Sequence, residues 1–313
     1  MNVEIHESSS NNNFLLILIL KISCFFVFIG RAWEHIRWDP PYREILWDQM
    51  LLEGIVKGLT GMTWATYASS DRVDNVIQNG ILAIGCFYVL CAISSLIISK
   101  KNTVVYKICK VILIIGALGL VLLAFLHYLG RFLEVGQFFE YAAQFGSPIF
   151  LLLAISGALK NSFKLLLKGA IALTFICHGL YALGYYSTPG EWVDMIILSL
   201  NVSEQSAFSI LYVAGILDIV FSVLLFIPGF TKPAAIYLVF WGVLTTISRI
   251  YANLYLDSIL LILERYLHEV LYRLPHFLLP LLLIIGNNDK IILLQQIFSK
   301  KKRIEYESEV AYG

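Results

Sequence analysis

Residues 81–131 read ILAIGCFYVLCAISSLIISKKNTVVYKICKVILIIGALGLVLLAFLHYLGR. Two apolar runs, each near the ~20 residues that an α-helix needs to cross a bilayer, flank a turn bearing Lys100, Lys101, Lys107 and Lys110. No carboxylate interrupts the stretch. Two such runs joined by a cation-rich, acid-free turn predict a membrane hairpin with the turn on the lysine side.

The same sorting continues outward in both directions. Lys160, Lys164 and Lys168 fall in the next lysine gap, Lys232 in a third, and Lys290, Lys300, Lys301, Lys302 and Arg303 in the tail. The alternate gaps hold Arg31, Arg37, Arg43, Lys57, Arg72, Arg131, Arg249, Arg265 and Arg273, mixed with most of the carboxylates. Apolar runs at about 14–31, 77–99, 103–130, 136–159, 165–186, 207–228, 233–256 and 271–288 predict an all-α polytopic membrane protein of eight spans. Both termini then lie on the lysine side, assigned to the cytoplasm of a cell inner membrane, and the polar gaps 32–75, 187–206 and 257–270 face the other way.

Composition excludes the main alternatives. Of the 313 residues, 58% are hydrophobic and 14% charged, with mean hydropathy +0.76; a soluble domain carries about 25% charged residues. A net charge of +1 offers no field for nucleic acid. Cys24, Cys86, Cys91, Cys109 and Cys177 all lie in apolar runs without a Cys-x-x-Cys pair, so they read as packing residues and not as a metal or dithiol site.

Segment by segment, residues 1–13 form an acidic, Ser/Asn-rich leader expected to be disordered, and Phe14–Arg31 reads as a retained helix because no basic n-region precedes it. Residues 14–160 make a first four-helix unit with an amphipathic insert at 32–75, and 161–288 make a second. Residues 289–313 form a cytoplasmic tail whose short amphipathic helix and Lys300–Arg303 suit anionic lipid. The two units share a pattern. Each has a Pro-, Trp- and Asp-bearing gap (Pro40, Trp47, Asp48; Pro189, Trp192, Asp194), then a helix around a Gly (Gly85; Gly215), a lysine turn and a last helix with a proline (Pro148; Pro280). Units of four spans repeat in parallel, about an axis along the membrane normal.

The second unit carries Leu211-Tyr-Val-Ala-Gly-Ile-Leu-Asp218 and then Leu224-Leu-Phe-Ile-Pro-Gly-Phe-Thr-Lys-Pro-Ala-Ala235. This sequence resembles the DoxX-like four-helix membrane proteins, in which a Gly and an acid in the second helix precede a Pro-Gly-x-Thr-Arg/Lys-x-Ala-Ala turn. Arg31 is loosely similar to an arginine in the helical membrane part of vitamin K-dependent carboxylases, of the same wider grouping. The first unit departs from the pattern, with Tyr88 near the acid's place and Lys100-Lys101 instead of the turn motif. The resemblance implies compact four-helix bundles and a link to quinone or sulfur redox chemistry. The competing class is a non-catalytic membrane transporter, or a scaffold for a membrane partner subunit.

Two polar stretches are the candidate ligand site: Arg31, Glu34, His35, Trp38, Asp39, Arg43 and Asp48 from the first unit, with His178, Tyr181 and Asp194 from the second. On a helix that Asp39-Pro40-Pro41 must stop, Arg31, Glu34 and His35 share a face. The first stretch reads either as the roof of a ligand site or as an interfacial anchor with compensating ion pairs. His178 and Asp194 likewise admit structural roles, and a quinone would sit among Trp33, Trp38, Tyr181 and Tyr185. Asp218 lies mid-span and must find a cation or stay protonated; counting residues places Arg249 within about 6 Å of its depth, predicting an Asp218–Arg249 pair. The Glu264, His268, Glu269 and His276 spacing matches no metal signature, so these residues are expected to form a solvated interfacial helix, and no metal is expected.

Overall fold

The computed structural model describes residues 2–157, 161–254 and 258–285, with residues 2–12 and 161 described by their backbone alone. The described residues form helices and connecting turns, with no strand among them. Eight helices are long and apolar enough to cross a membrane, and the chain is an all-α, multi-pass membrane protein. The tail expected at 289–313 lies outside the described residues.

The first span is α1 (Asn2–Arg37), and α2 (Arg43–Leu46), α3 (Gln49–Thr60) and α4 (Trp64–Ala68) are short helices of the insert. Helices α5 (Asp71–Ile97) and α6 (Thr103–Gly130) are the second and third spans, and one-turn α7 (Val135–Phe139) leads into α8 (Ala142–Ser156) to complete the fourth. The fifth span is α9 (Asn161–Ala182); α10 (Gly190–Leu200) is short; α11 (Glu204–Leu224) and α12 (Thr231–Tyr251) are the sixth and seventh. The eighth is two helices, α13 (Ile259–Arg273) and α14 (Pro275–Ile285), broken at Leu274. Proline is favoured at the first position of a helix, where its missing N–H costs nothing.

Three boundaries differ from the sequence reading. Helix α1 is continuous from Asn2, where composition suggested an unstructured leader. It also runs six residues past Arg31, because Arg31, Glu34 and His35 find partners inside the bundle; Asp39-Pro40 then stops it as expected. The largest change is at 257–270. Instead of a solvated interfacial helix, α13 is the first half of the last span, packed on α1 and α12 with Ile262, His268 and Tyr272 buried. Two of its charges are matched by neighbours, Glu264 by Arg37 and Glu269 by Arg249, which helps a charged sequence enter the bundle.

Both halves contribute to one apolar core. Leu20, Cys24 and Phe28 of α1 share it with Leu113, Leu151, Leu167, Leu238 and Leu279 of later helices. In a bilayer the drive to assemble is packing, since lipid tails are as apolar as leucine. Two crossings bring backbones close together. Gly85 of α5 faces Ala32, His35 and Ile36 of α1, and Gly179 of α9 meets Gly215 of α11, where a Cβ on either would approach the other's carbonyl oxygen at 2.8 Å. Outward, α6 shows Ile108, Val111, Ile115, Leu118 and Leu122 on its exposed face, an apolar stripe suited to lipid. Four of the five cysteines are buried, and all are free thiols.

Lysines close the opposite end. The Lys21 ammonium donates to the Leu96 carbonyl at the end of α5, and the Lys100 ammonium to the Ser156 carbonyl at the end of α8. These carbonyls have no partner within their own helices, and a cation suits that end of the dipole.

Candidate functional site, a polar chamber at the insert end

Because successive spans alternate in direction, the C-terminal ends of α1, α6, α9 and α12 meet the N-terminal ends of α5, α7, α11 and α13 at one end of the bundle. Helices α2, α3, α4 and α10 lie at that end too. The buried ionisable side chains concentrate there. A charge inside a span is costly unless it faces the bundle and is paired, and each charged member of this cluster has neighbours of opposite sign or aromatic faces.

Arg31 is the centre. Its guanidinium, 2% exposed, donates from Nε and Nη2 to Gln144 Oε1 of α8 at 3.2 and 2.7 Å, and from Nη1 to Glu34 Oε2 at 2.7 Å. It lies 3.9 Å from the ring centroid of Tyr272 (α13) and 5.1 Å from that of Tyr141 (before α8). A planar, delocalised cation suits this cage as an ammonium would not. One side chain therefore joins both halves of the molecule. His127 of α6 also stacks on Tyr141 at 4.8 Å.

His35 continues the cluster towards the insert. Its Nδ1 lies 2.6 Å from the Arg31 carbonyl, which can only accept, so Nδ1 carries the proton; in the neutral ring Nε2 then accepts from the Tyr42 hydroxyl at 2.9 Å. The ring packs edge-on to Tyr88. Tyr42 lies outside the spans, and burial pushes its phenol up to about 12.

Towards α9 and α14, Glu140 is 7% exposed, accepts from Gln137 Nε2 at 2.7 Å and lies 3.8 Å from His178 Nε2. His178 stacks on His276 of α14 at 5.3 Å, and His276 Nδ1 donates to the Arg273 carbonyl. The Tyr181 hydroxyl donates to Glu134 at 2.7 Å. Arg273 lies within electrostatic reach of Glu140, Glu269 and Tyr141.

Beneath this layer the helices pack on an apolar floor. One or two turns deeper, Phe28, Leu120, Leu151, Phe175 and Leu279 are each 4% exposed or less and belong to the apolar core. Beside the chamber, between α1, α10, α12 and α13, lies an open cavity of about 500 Å³, within the usual range of small-ligand sites. Trp38, Asp194, Arg249, His268 and Glu269 are among its lining residues.

The sequence-selected residues thus divide. Arg31, Glu34, His35, His178 and Tyr181 enter the buried cluster, and Trp38 and Asp194 line the cavity, with Trp38 stacked on His268. Asp39 and Arg43 do not join it: Arg43 bridges Asp39 at 2.7 Å and Asp74 at 2.6 Å and covers the Trp47 ring, tying the insert to α5. Asp48 caps α3 through the Leu51 amide. Tyr185, 73% exposed, stands outside the cluster.

The expected Asp218–Arg249 pair does not form. Asp218 accepts from Trp241 Nε1 at 3.2 Å, while Arg249 donates to Glu269 at 2.8 Å. Helix α11 begins at Glu204 and α12 ends at Tyr251, so Asp218 lies far deeper than Arg249. At 1.5 Å per residue the gap is about 18 Å, three times the separation expected from the sequence.

Sequence reasoning missed Gln137, Tyr141, Gln144 and Tyr272. Each lies within a turn of a charged residue, but nothing local marks which face of its helix meets the cluster. Among the described residues, no three of His, Cys, Asp and Glu converge as a metal site. The chain matches no family model, no curated protein and no solved structure.

Proposed function

We propose that the chain is a DoxX-like membrane protein of two tandem four-helix units, whose chamber receives the head of a membrane-soluble quinone and supports quinone-linked redox chemistry. The observation that carries this reading is a pair of buried nitrogens in the cluster without hydrogen-bond partners, Arg273 Nε and His127 Nε2. A guanidinium N–H can only donate. Arg273 Nε therefore calls for an acceptor, which also suits His127 Nε2 in its Nε2–H tautomer, and a buried donor left unsatisfied costs about 1–3 kcal/mol. A planar ring with two carbonyl oxygens answers such donors, and its tail suits the lipid around the bundle.

Reducing a quinone to a quinol consumes two electrons and two protons. Glu140, His178 and Tyr181 form the titratable side of the cluster and would supply the protons, while a partner subunit supplies the electrons. The apolar floor under the cluster supports binding from one side over transport, which needs a polar path through the bundle. The matched positions of Gly85 and Gly215, each at the close crossing of its unit's first two spans, support the tandem-unit reading. Lysine placement supports cytoplasmic termini in an inner membrane.

Titration of the full chain in nanodiscs with decylubiquinone tests the proposal by tryptophan fluorescence. Saturable quenching, weakened about tenfold by Arg273→Gln or His127→Ala, is the expected outcome, since a hydrogen bond to a charged group contributes about 1.5–3 kcal/mol. Quenching no greater than partition into protein-free nanodiscs would contradict it.

A further inference from the structure

The open cavity beside the chamber has a charge arrangement of its own. Helix α10 contributes the carboxylates of Glu191 and Asp194 to its lining, and α13 contributes the Arg265 guanidinium. None of the three forms an ion pair among the described residues. The Arg249–Glu269 pair also lines the cavity and is neutral as a unit. Two lining residues are more than nine-tenths buried and still hold an unpartnered nitrogen: Arg249, 7% exposed, at Nε, and His268, 8% exposed, at Nδ1.

Unpaired acid on one helix and unpaired base on another select a ligand with both signs of charge. The nitrogens of Arg249 and Arg265 are obligate donors and suit its anionic end. Glu191 and Asp194 suit its ammonium, with the exposed Trp38 ring available for cation–π contact. Depth sets the rest. Arg249 is two residues from the end of α12, about 3 Å along the axis, so the cavity lies where α12 leaves the membrane. Met195, Leu198 and Ala252 add apolar lining there.

From this we infer that the cavity between α10, α12 and α13 is a binding site for an ammonium–phosphate zwitterion, the phosphoethanolamine group, carried by a phospholipid. The site is separate from the quinone reading and does not depend on it. The anionic end meets Arg265, Arg249 Nε and His268, and the ammonium meets Glu191 and Asp194.

The test titrates the full chain in detergent, by native mass spectrometry, with dihexanoyl phosphatidylethanolamine, dihexanoyl phosphatidylglycerol and free phosphoethanolamine. The expected result is saturable binding of the phosphatidylethanolamine, about tenfold tighter than the phosphatidylglycerol. Arg265→Gln and the double variant Glu191→Gln/Asp194→Asn should each weaken it about tenfold. All three are exposed side chains, so these variants leave the core intact, and an unchanged thermal midpoint verifies that. Free phosphoethanolamine binding as tightly as the lipid overturns the phospholipid as its carrier. Equal affinity for both lipids, or lipid binding unchanged in both wall variants, overturns the proposal.

Discussion

A buried arginine in a span is costly unless its charge is answered, and the cage around Arg31 answers it with Gln144, Glu34 and two tyrosine faces. Arg31→Met strands the Glu34 carboxylate and the Gln144 amide. Breaking a buried pair from one side costs about 3–5 kcal/mol, so the variant should lose that much in detergent unfolding. Arg31→Lys keeps the charge but not the planar fork and should lose a smaller part. The double variant Arg31→Met/Glu34→Gln should lose less than the summed singles, the signature of residues in one network. Tyr42 adds a pH dependence. Its phenol, pushed up to about 12 by burial, keeps its proton longer in the folded chain than at the unfolded value of 10. The folded state therefore binds more protons above pH 10, and that contribution to stability is lost as pH rises from about 10 to 12. Tyr42→Phe should flatten this loss in unfolding measured across that range, although it also forfeits the His35 hydrogen bond. At this scale the sequence marks Arg31, Glu34 and His35 as a set, since spacing alone puts them on one face. It is silent on Gln144 and Tyr272, whose role depends on how three distant helices rotate.

Among helices, glycine positions separate packing from propensity. A Cβ at Gly215 would meet the Gly179 carbonyl oxygen at 2.8 Å, whereas one at Gly169, on the same α9 as Gly179, would meet nothing within 4 Å. Gly215→Ala should therefore force α9 and α11 apart and cost about 1–3 kcal/mol. Gly169→Ala should be neutral or stabilise by up to about 1 kcal/mol through helix propensity. Thermal midpoints of the two variants in one detergent compare them directly, and equal shifts would deny the close crossing. Most spans are legible because a run of apolar residues bounded by charge needs no tertiary information. The eighth is the exception. Glu264, Arg265, His268 and Glu269 make α13 read as solvated, and only Arg37 and Arg249 on other helices reveal that two of those charges are answered. The Asp218–Arg249 expectation failed for a related reason: helix ends set depth, and three to five residues of error at each end moved the two groups about 12 Å further apart.

For the molecule as a whole, the account rests on both halves building one chamber at one end of the bundle, with an apolar floor beneath it. Lysine asymmetry makes that end visible from sequence, because it places the insert, α10 and the entrance to α13 together. It does not reveal that α1, besides packing on α5 and α8 of the first half, also packs on α13 and α14 of the second. Trp38, at the end of α1 and 40% exposed, stacks on His268 of α13, so it reports this junction while tolerating replacement. The most direct measurement puts the photo-crosslinker p-benzoylphenylalanine at position 38 of the full chain in membranes and maps the intramolecular product by peptide mass spectrometry. The account predicts crosslinks to α13, in the peptide containing His268. Crosslinks confined to the 42–78 region, with none reaching α13, would contradict a chamber shared by the two halves.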